Sequence, residues 1–261
     1  VSWVMPSGVA IDISPQAARA HGDTCGVQFG WYRGWNNRPL SDADRGRFFM
    51  EKTEDDTRMN IIDELEWRDA INQQTDAEGL RELTSAKSIS LYCGVDPTGD
   101  SMHVGHLIPF IVLKRFQLAG HRPVILIGGA TGTIGDPSGR QTERSLQTME
   151  QVQANVEALT AQMKKLFLTD SDNEVRLVNN YDWTHRINII DFLRDYGKNF
   201  TVNSMLAKDV VSSRLESGIS FTEFSYQILQ AVDFLHLYKE EDVQLQIGGS
   251  DQWGNITSGL D

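Results

Sequence analysis

Two histidines three residues apart, His103 and His106, follow the segment Tyr92-Cys93-Gly94-Val95-Asp96-Pro97-Thr98-Gly99. At the start of a helix this spacing puts both rings on one face, near the positive end of the helix dipole. Gly105 between them lets the first turn approach a ligand closely. Such a corner suits a polyphosphate. Two other readings stay open at this point: histidines that only cap the helix, and a metal pair, for which no third Cys or His stands at ligand spacing. A second polar set, Tyr226, Gln230 and Asp233, falls at i, i+4 and i+7 beside the apolar Val232 and Leu235. That is one stripe of a helix, and it requires either solvent or a ligand. A third set is Asp136-Pro137-Ser138-Gly139, a good turn in its own right because Asp bonds its local backbone and Pro fixes φ. It follows the Gly-rich run Gly128-Gly129-Ala130-Thr131-Gly132, which lacks the Lys and Ser/Thr that close a P-loop.

These groups need a scaffold, and the hydropathy pattern supplies one. Ile61, Ile62, Leu65 and Ile71 suggest a short amphipathic helix, and Ser88 to Val95 alternates like a strand. Val104, Leu107, Ile108, Ile111 and Val112 mark a helix face, and Pro123 to Ile127 is an apolar run of buried-strand length. Met149, Val152, Val156, Leu159, Met163 and Leu166 repeat at helical spacing before a strand at Val175 to Val178. A late helix carries Phe224, Ile228, Val232 and Leu235 and leads to a strand at Val243 to Ile247. This βαβαβ…αβ order predicts an α/β, doubly wound parallel sheet with ligands at the carboxyl ends of its strands.

The chain has 261 residues, 24 basic and 36 acidic side chains and a net charge of −12, which argues against a general polyanion binder. Cys25 and Cys93 are too few for a disulfide framework, no apolar run has membrane-spanning length, and residues 1 to 10 lack a secretory signal. A cytoplasmic protein is expected.

The stretch Pro97 to His106 resembles the HIGH signature of class I aminoacyl-tRNA synthetases, and the longer run from Tyr92 resembles its bacterial tyrosyl-tRNA synthetase version. Gly128 to Gly139, Asn179-Asn180-Tyr181-Asp182-Trp183, Ser220 to Tyr226 and Gln246 to Asn255 match further segments of that family in order. The resemblance covers residues 59 to 261 and implies a Rossmann-type catalytic domain. It also implies a tyrosine-tRNA ligase, which joins L-tyrosine to ATP (with Mg²⁺) as tyrosyl-adenylate and then charges tRNA(Tyr), acting as a homodimer.

By the same resemblance, Thr98 and His103 face the departing phosphates, and His106 and Asp96 help hold the nucleotide. Cys93 contacts the ribose, Gly94, Gly105 and Gly249 leave room for the nucleotide, and Asp251 accepts from ribose hydroxyls. Arg140 and Arg144, on an expected mobile loop, engage pyrophosphate; the family usually has Lys at the first of these, so geometry changes there while charge is kept. Tyr92 and Asp233 contact the phenol. Asp136, Tyr226 and Gln230 receive the ammonium group, Asn180 and Gln246 support them, and Gln252 orients the reacting carboxylate or the α-phosphate. A tryptophan-specific relative and a non-catalytic RNA-binding or regulatory paralogue are the rival readings.

Three regions are expected: 1 to 58 outside the family, 59 to 90 an N-terminal helical segment, and 91 to 261 the catalytic domain. The family's second basic signature, KMSKS or a variant, and the anticodon-reading region are expected after residue 261. Residues 1 to 58 show no sustained apolar period. Gly30-Trp31-Tyr32-Arg33-Gly34 and Arg45-Gly46-Arg47-Phe48-Phe49 back-translate into sequences like a T-box antiterminator and a terminator stem with its T-run. They are therefore expected to be translated leader RNA, with Met59 as the true start and no ordered element before it.

Overall fold

The computed structural model describes residues 9–13, 59–138 and 146–260. Its six-stranded sheet runs β2-β1-β6-β3-β4-β5. The strands are β1 (Val9–Ile13), β2 (Ile71–Gln74), β3 (Ser90–Val95), β4 (Arg122–Ile127), β5 (Arg176–Asn179) and β6 (Val243–Gly249). All neighbours are parallel except β1 and β2.

Helices α1 (Ile61–Trp67) and α2 (Ala77–Ala86) precede β3, and α3 (Val104–Leu118) and α4 (Met149–Leu166) carry the crossovers β3-α3-β4 and β4-α4-β5. After β5 come four short α-helices, α5 (Tyr181–Thr184), α6 (Ile189–Asp191), α7 (Val202–Ala207) and α8 (Asp209–Ser212), with a π-helical turn at Phe192–Tyr196 and a 3-10 turn at Gly197–Asn199 between α6 and α7. The long α9 (Phe221–Glu241) then returns the chain to β6 on the other side of β3, and α10 (Trp253–Ser258) follows. Strand order therefore reverses between β3 and β6, where a doubly wound sheet opens a crevice at its carboxyl edge.

Alternation along the strands divides two cores. Leu91, Cys93, Ile125, Ile127, Leu245 and Ile247 pack with α1 to α4, while Tyr92, Val124 and Leu126 pack with Phe234 and Leu237 of α9. Helix ends follow local chemistry. Thr148 caps α4 by accepting from Gln151 N, Ser220 caps α9 by accepting from Glu223 N, and α9 stops at left-handed Asp242. At the start of α9, Arg214 and Glu223 form a buried ion pair at 2.9 Å.

Three expectations need correction. The helix at Val104–Leu118 packs through Phe110, Val112, Leu113 and Phe116, while Val104 and Ile111 of the expected face are exposed. Ile71 does not extend the first helix: the chain turns at Asp69 (φ 54°) and Ile71 opens β2, so region 59–90 contains a strand besides its helices. Within residues 1 to 58, Val9–Ile13 is not without structure but forms a buried strand, paired with β6 on one side and β2 on the other. Five residues are too short for a periodicity window, and Asp12 interrupts the apolar run. The rest of the leader expectation lies outside the described residues.

Candidate active site

A cleft of about 610 Å³ opens at the carboxyl ends of β3 and β6. Its wall takes Tyr92, Cys93, Gly94, Asp96 and Thr98 from β3 and the loop after it, and His103, Gly105 and His106 from the start of α3. Asp136, Tyr226, Gln230, Asp233, Gln246, Gly249, Asp251 and Gln252 complete the expected set there. The sheet brings together residues that lie far apart in the chain: Tyr92 of β3 stands opposite Gln246 of β6. Asn180 is the exception among the described candidates. It does not line the cleft but lies behind it, fully buried. Arg140 and Arg144 lie outside the described residues.

At the inner end, Asp233 is 3% exposed, and its two oxygens accept from Asn180 Nδ2 at 2.9 Å and Trp183 Nε1 at 2.8 Å. Burial pushes its carboxyl up to about 7, although both hydrogen bonds pull the other way. Asn180 is itself fixed, accepting from Ala130 N at 2.8 Å and donating to Thr131 Oγ at 3.0 Å. Tyr92 is 1% exposed, and its buried hydroxyl bonds to no protein group among the described residues. Burial, and next the charge of Asp233, hold that phenol well above its usual range.

Tyr226 donates to Asp96 Oδ2 at 2.8 Å, and Thr131 Oγ donates to Asp96 Oδ1 at 2.7 Å. Asp96, expected at the nucleotide, is thus also tied to Tyr226, which is expected at the ammonium group. The Gly-rich run is explained by this packing rather than by phosphate. A Cβ on Gly128 would lie 2.1 Å from Asp96 Oδ1, and one on Gly129 would lie 2.3 Å from Asn179 Oδ1.

Asp136 Oδ2 accepts from Gln252 Nε2 at 2.7 Å, and Oδ1 accepts from Ser138 N at 2.9 Å and Asn255 Nδ2 at 3.2 Å. The outer end is more open. His103 is exposed, its ring stacked on that of His106 with centroids 3.7 Å apart, while Asp251 and Gly105 are also exposed. Cys93 is buried, its thiol pushed up to about 12 by burial, so it offers the rim a weak neutral donor.

Sequence reasoning missed Thr131, Ser138, Trp183 and Asn255 as site residues. All four lie inside the quoted motif segments, but each bonds another side chain of the site, a relation that spacing along the chain does not reveal. Chemically, the inner end can hold a buried hydroxyl against Tyr92 and Asp233. The middle presents carboxylates to an amine, and the outer end presents imidazoles and a helix start to phosphates.

The family model described as tRNA synthetases class I (W and Y) matches residues 84–261. A Tyrosine--tRNA ligase 2 of Bacillus cereus is 81% identical over 203 residues, 78% of this chain and 48% of that protein. Tyrosine--tRNA ligase of Latilactobacillus sakei is 76% identical over 202 residues, 77% of this chain and 48% of that protein. The chain therefore spans about half the length of these curated relatives. A C-terminally truncated mitochondrial tyrosyl-tRNA synthetase of Aspergillus nidulans superposes with a TM-score of 0.70 at 35% identity, covering 77% of this chain and 60% of that one. A tryptophanyl-tRNA synthetase of Plasmodium falciparum, at 17% identity and a TM-score of 0.54, shares the fold alone. With the matched model spanning the cleft from β3 to α10, the chain belongs to the class I tRNA synthetases of the tryptophan and tyrosine group.

Proposed function

We propose that this chain supplies the amino-acid site and much of the ATP site of a tyrosine-tRNA ligase. The observation that carries the choice of tyrosine is the buried Tyr92 hydroxyl, without a protein partner among the described residues, in the same pocket as Asp233. A buried polar pair of this kind rewards a ligand that brings its own hydroxyl and penalises one that does not. A phenyl ring, which carries neither donor nor acceptor, would leave the Tyr92 hydroxyl unpaired.

In the reaction proposed, the tyrosine carboxylate oxygen attacks the α-phosphorus of ATP, a P–O bond to it forms, and the bond to the pyrophosphate oxygen breaks. A ribose hydroxyl at the tRNA terminus then displaces AMP from the acyl carbon. The first step needs no general base, because nucleophile and leaving group are already competent. What the chain contributes is alignment and charge stabilisation. Asp136, Tyr226 and Gln230 fix the ammonium, Gln252 the carboxylate, Asp251 the ribose, and Thr98 and His103 the departing phosphates, with Arg140 and Arg144 assigned to pyrophosphate. Among the described residues no three His, Cys, Asp or Glu side chains form a metal cage. Mg²⁺ would enter with the triphosphate of ATP and neutralise its charge there.

The same reading makes tRNA(Tyr) the second substrate and a second copy of the chain the partner. The apolar side chains of Ile189, Ile190, Leu193, Val202 and Phe221 are each exposed, apolar area of the kind that such pairing covers. No helix among the described residues is long and apolar enough to cross a membrane, and a cytoplasmic site of action is part of the proposal.

The test is calorimetric binding of L-tyrosine, L-tryptophan and L-phenylalanine to the chain, followed by pyrophosphate exchange in a chain extended to the length of its relatives. Binding and exchange with tyrosine alone are expected. Preference for tryptophan, or ligand binding without any exchange in the extended chain, would overturn the reading.

A further inference from the structure

Asn255 carries a role that the resemblance does not assign. It lies at the third position of α10, 3% exposed, and does not line the cleft. Its Nδ2 is 3.2 Å from Asp136 Oδ1, 3.1 Å from Ser138 Oγ and 3.3 Å from Gln252 Oε1. An amide nitrogen has two hydrogens to share among these three acceptors. The other oxygen of Asp136 accepts from Gln252 Nε2 at 2.7 Å, and the same nitrogen donates more weakly to Asp251 Oδ2 at 3.3 Å. Asp136 and Gln252, which do line the cleft, are therefore joined twice: directly, and through a buried amide that touches both.

We propose that Asn255 is a positioning residue that couples the ammonium end of the amino-acid site to its carboxylate end. The proposal rests on the tyrosine reading above and deepens it. Without substrate, the Gln252 amide is parked on Asp136 Oδ2. A substrate ammonium is a charged donor and outcompetes a neutral amide for that oxygen. Gln252 Nε2 is then released to meet the substrate carboxylate, while its Oε1 stays within reach of Asn255. Because Asn255 also holds Asp136 Oδ1, the carboxylate keeps its place as one donor replaces another. Arrival of the amine thereby readies the group that orients the nucleophile.

Three ligands separate this from a purely structural role: L-tyrosine, tyramine, which lacks the carboxylate, and 3-(4-hydroxyphenyl)propionate, which lacks the amine. Calorimetry on the full chain and on Asn255→Ala should show tyramine and tyrosine weakened by about 10-fold or more, the order expected for losing support of a charge-assisted hydrogen bond. The propionate, which never displaces Gln252, should change by less than about twofold. Equal loss of all three ligands, or no change in any, overturns the proposal. If circular dichroism shows Asn255→Ala unfolded, Asn255→Ser keeps a polar group for the helix turn but cannot reach Asp136. The same selective pattern is expected of it, and a uniform loss is equally fatal. Failure of the unsubstituted chain to bind any of the three overturns the tyrosine reading and this inference together. Binding by it without selectivity in the variants overturns only the role of Asn255.

Discussion

At the inner end of the cleft, Asp233 is buried, accepts from Asn180 and Trp183, and is backed by a chain of bonds to Thr131 and Asp96. At the outer end, His103 is exposed with its ring stacked on its neighbour His106, and Asp251 faces solvent. The Asp233 carboxyl is held by other side chains before any ligand arrives, as the proposed discrimination of one hydroxyl requires. The outer groups sit on a helix start and a loop, where charge rather than shape is to be stabilised. Substitution of Asp233 should therefore cost fold and affinity together, and substitutions outside should cost rate alone.

The largest effect is expected from a change that reaches one end through the sheet. Val9, Ile11 and Ile13 of β1 are buried, and burial of each such side chain is worth about 1.5–3 kcal/mol. Deleting residues 1 to 58 should thus cost several kcal/mol in chemical denaturation, less the entropy of ordering the strand. The register of β1 ends with Ile13 opposite Gly249, so the loss should disturb the nucleotide end and spare Asp233 and its donors. An unchanged denaturation midpoint would remove β1 from the sheet and restore the leader expectation.

Next, Asp233→Ala leaves the Asn180 and Trp183 donors unpaired, at about 1–3 kcal/mol for each buried group. Tyrosine affinity should fall by more than about 100-fold along with stability. Calorimetry and denaturation on the same preparation check both, and a variant that loses affinity at full stability would break the inside half of the contrast.

At the outer end, His103→Ala and Thr98→Ala in a chain extended to the length of its relatives should slow adenylate formation by about 10- to 100-fold. Tyrosine affinity should stay within about twofold. Rapid-quench kinetics with a separate tyrosine titration measures the two independently. Equal losses in rate and affinity would make the outer residues structural.

The alternating order of helices and strands is legible in the sequence because long apolar periods dominate it: the run from Met149 to Leu166 is a helix with those bounds. Ile71 misleads because one apolar residue fits a helical period as well as a strand start, and the turn at Asp69 depends on a left-handed backbone that an Asp does not announce. β1 escapes a sequence reading because its stability comes from β6 and β2, both distant along the chain. In the site, residues that line the cleft are nameable from their motifs, and the stripe at Tyr226, Gln230 and Asp233 is visible from spacing alone. Residues that hold those residues are not. The partner of Trp183 is Asp233, 50 positions away, and that of Asn255 is Asp136, 119 away.

Acidity gives a smaller handle on the inner end. Native Asp233 keeps its proton up to about pH 7, whereas in the unfolded chain it ionises near 3.8. Between these values the native state binds more protons, so this group's contribution to stability falls as pH rises, by at most about 1.4 kcal/mol per pH unit. Asp233→Asn should flatten that slope relative to the unsubstituted chain, as read from denaturation midpoints between about pH 4.5 and 7. Parallel curves for the two proteins would show that the carboxyl is not held neutral by its surroundings.

The smallest effect separates affinity from stability within one residue. Tyr92 is packed against Phe234, with ring centroids 5.6 Å apart, and its hydroxyl is buried without a protein acceptor among the described residues. Tyr92→Phe removes a polar atom that the fold does not use and leaves the ring contact in place, so stability should hold or rise by up to about 1 kcal/mol. The ligand is affected the other way. If the hydroxyl meets the substrate phenol, its loss removes one neutral hydrogen bond, about 0.5–1.5 kcal/mol, and preference for tyrosine over phenylalanine should fall by about 2- to 12-fold. Phenylalanine itself should bind slightly better, since no group is then left unpaired beside its ring. Paired titrations with both amino acids, beside denaturation of the same variant, test the split. A drop in stability with discrimination intact would mean that the hydroxyl serves the fold, and the inner end would then lose its claim to be built around a ligand.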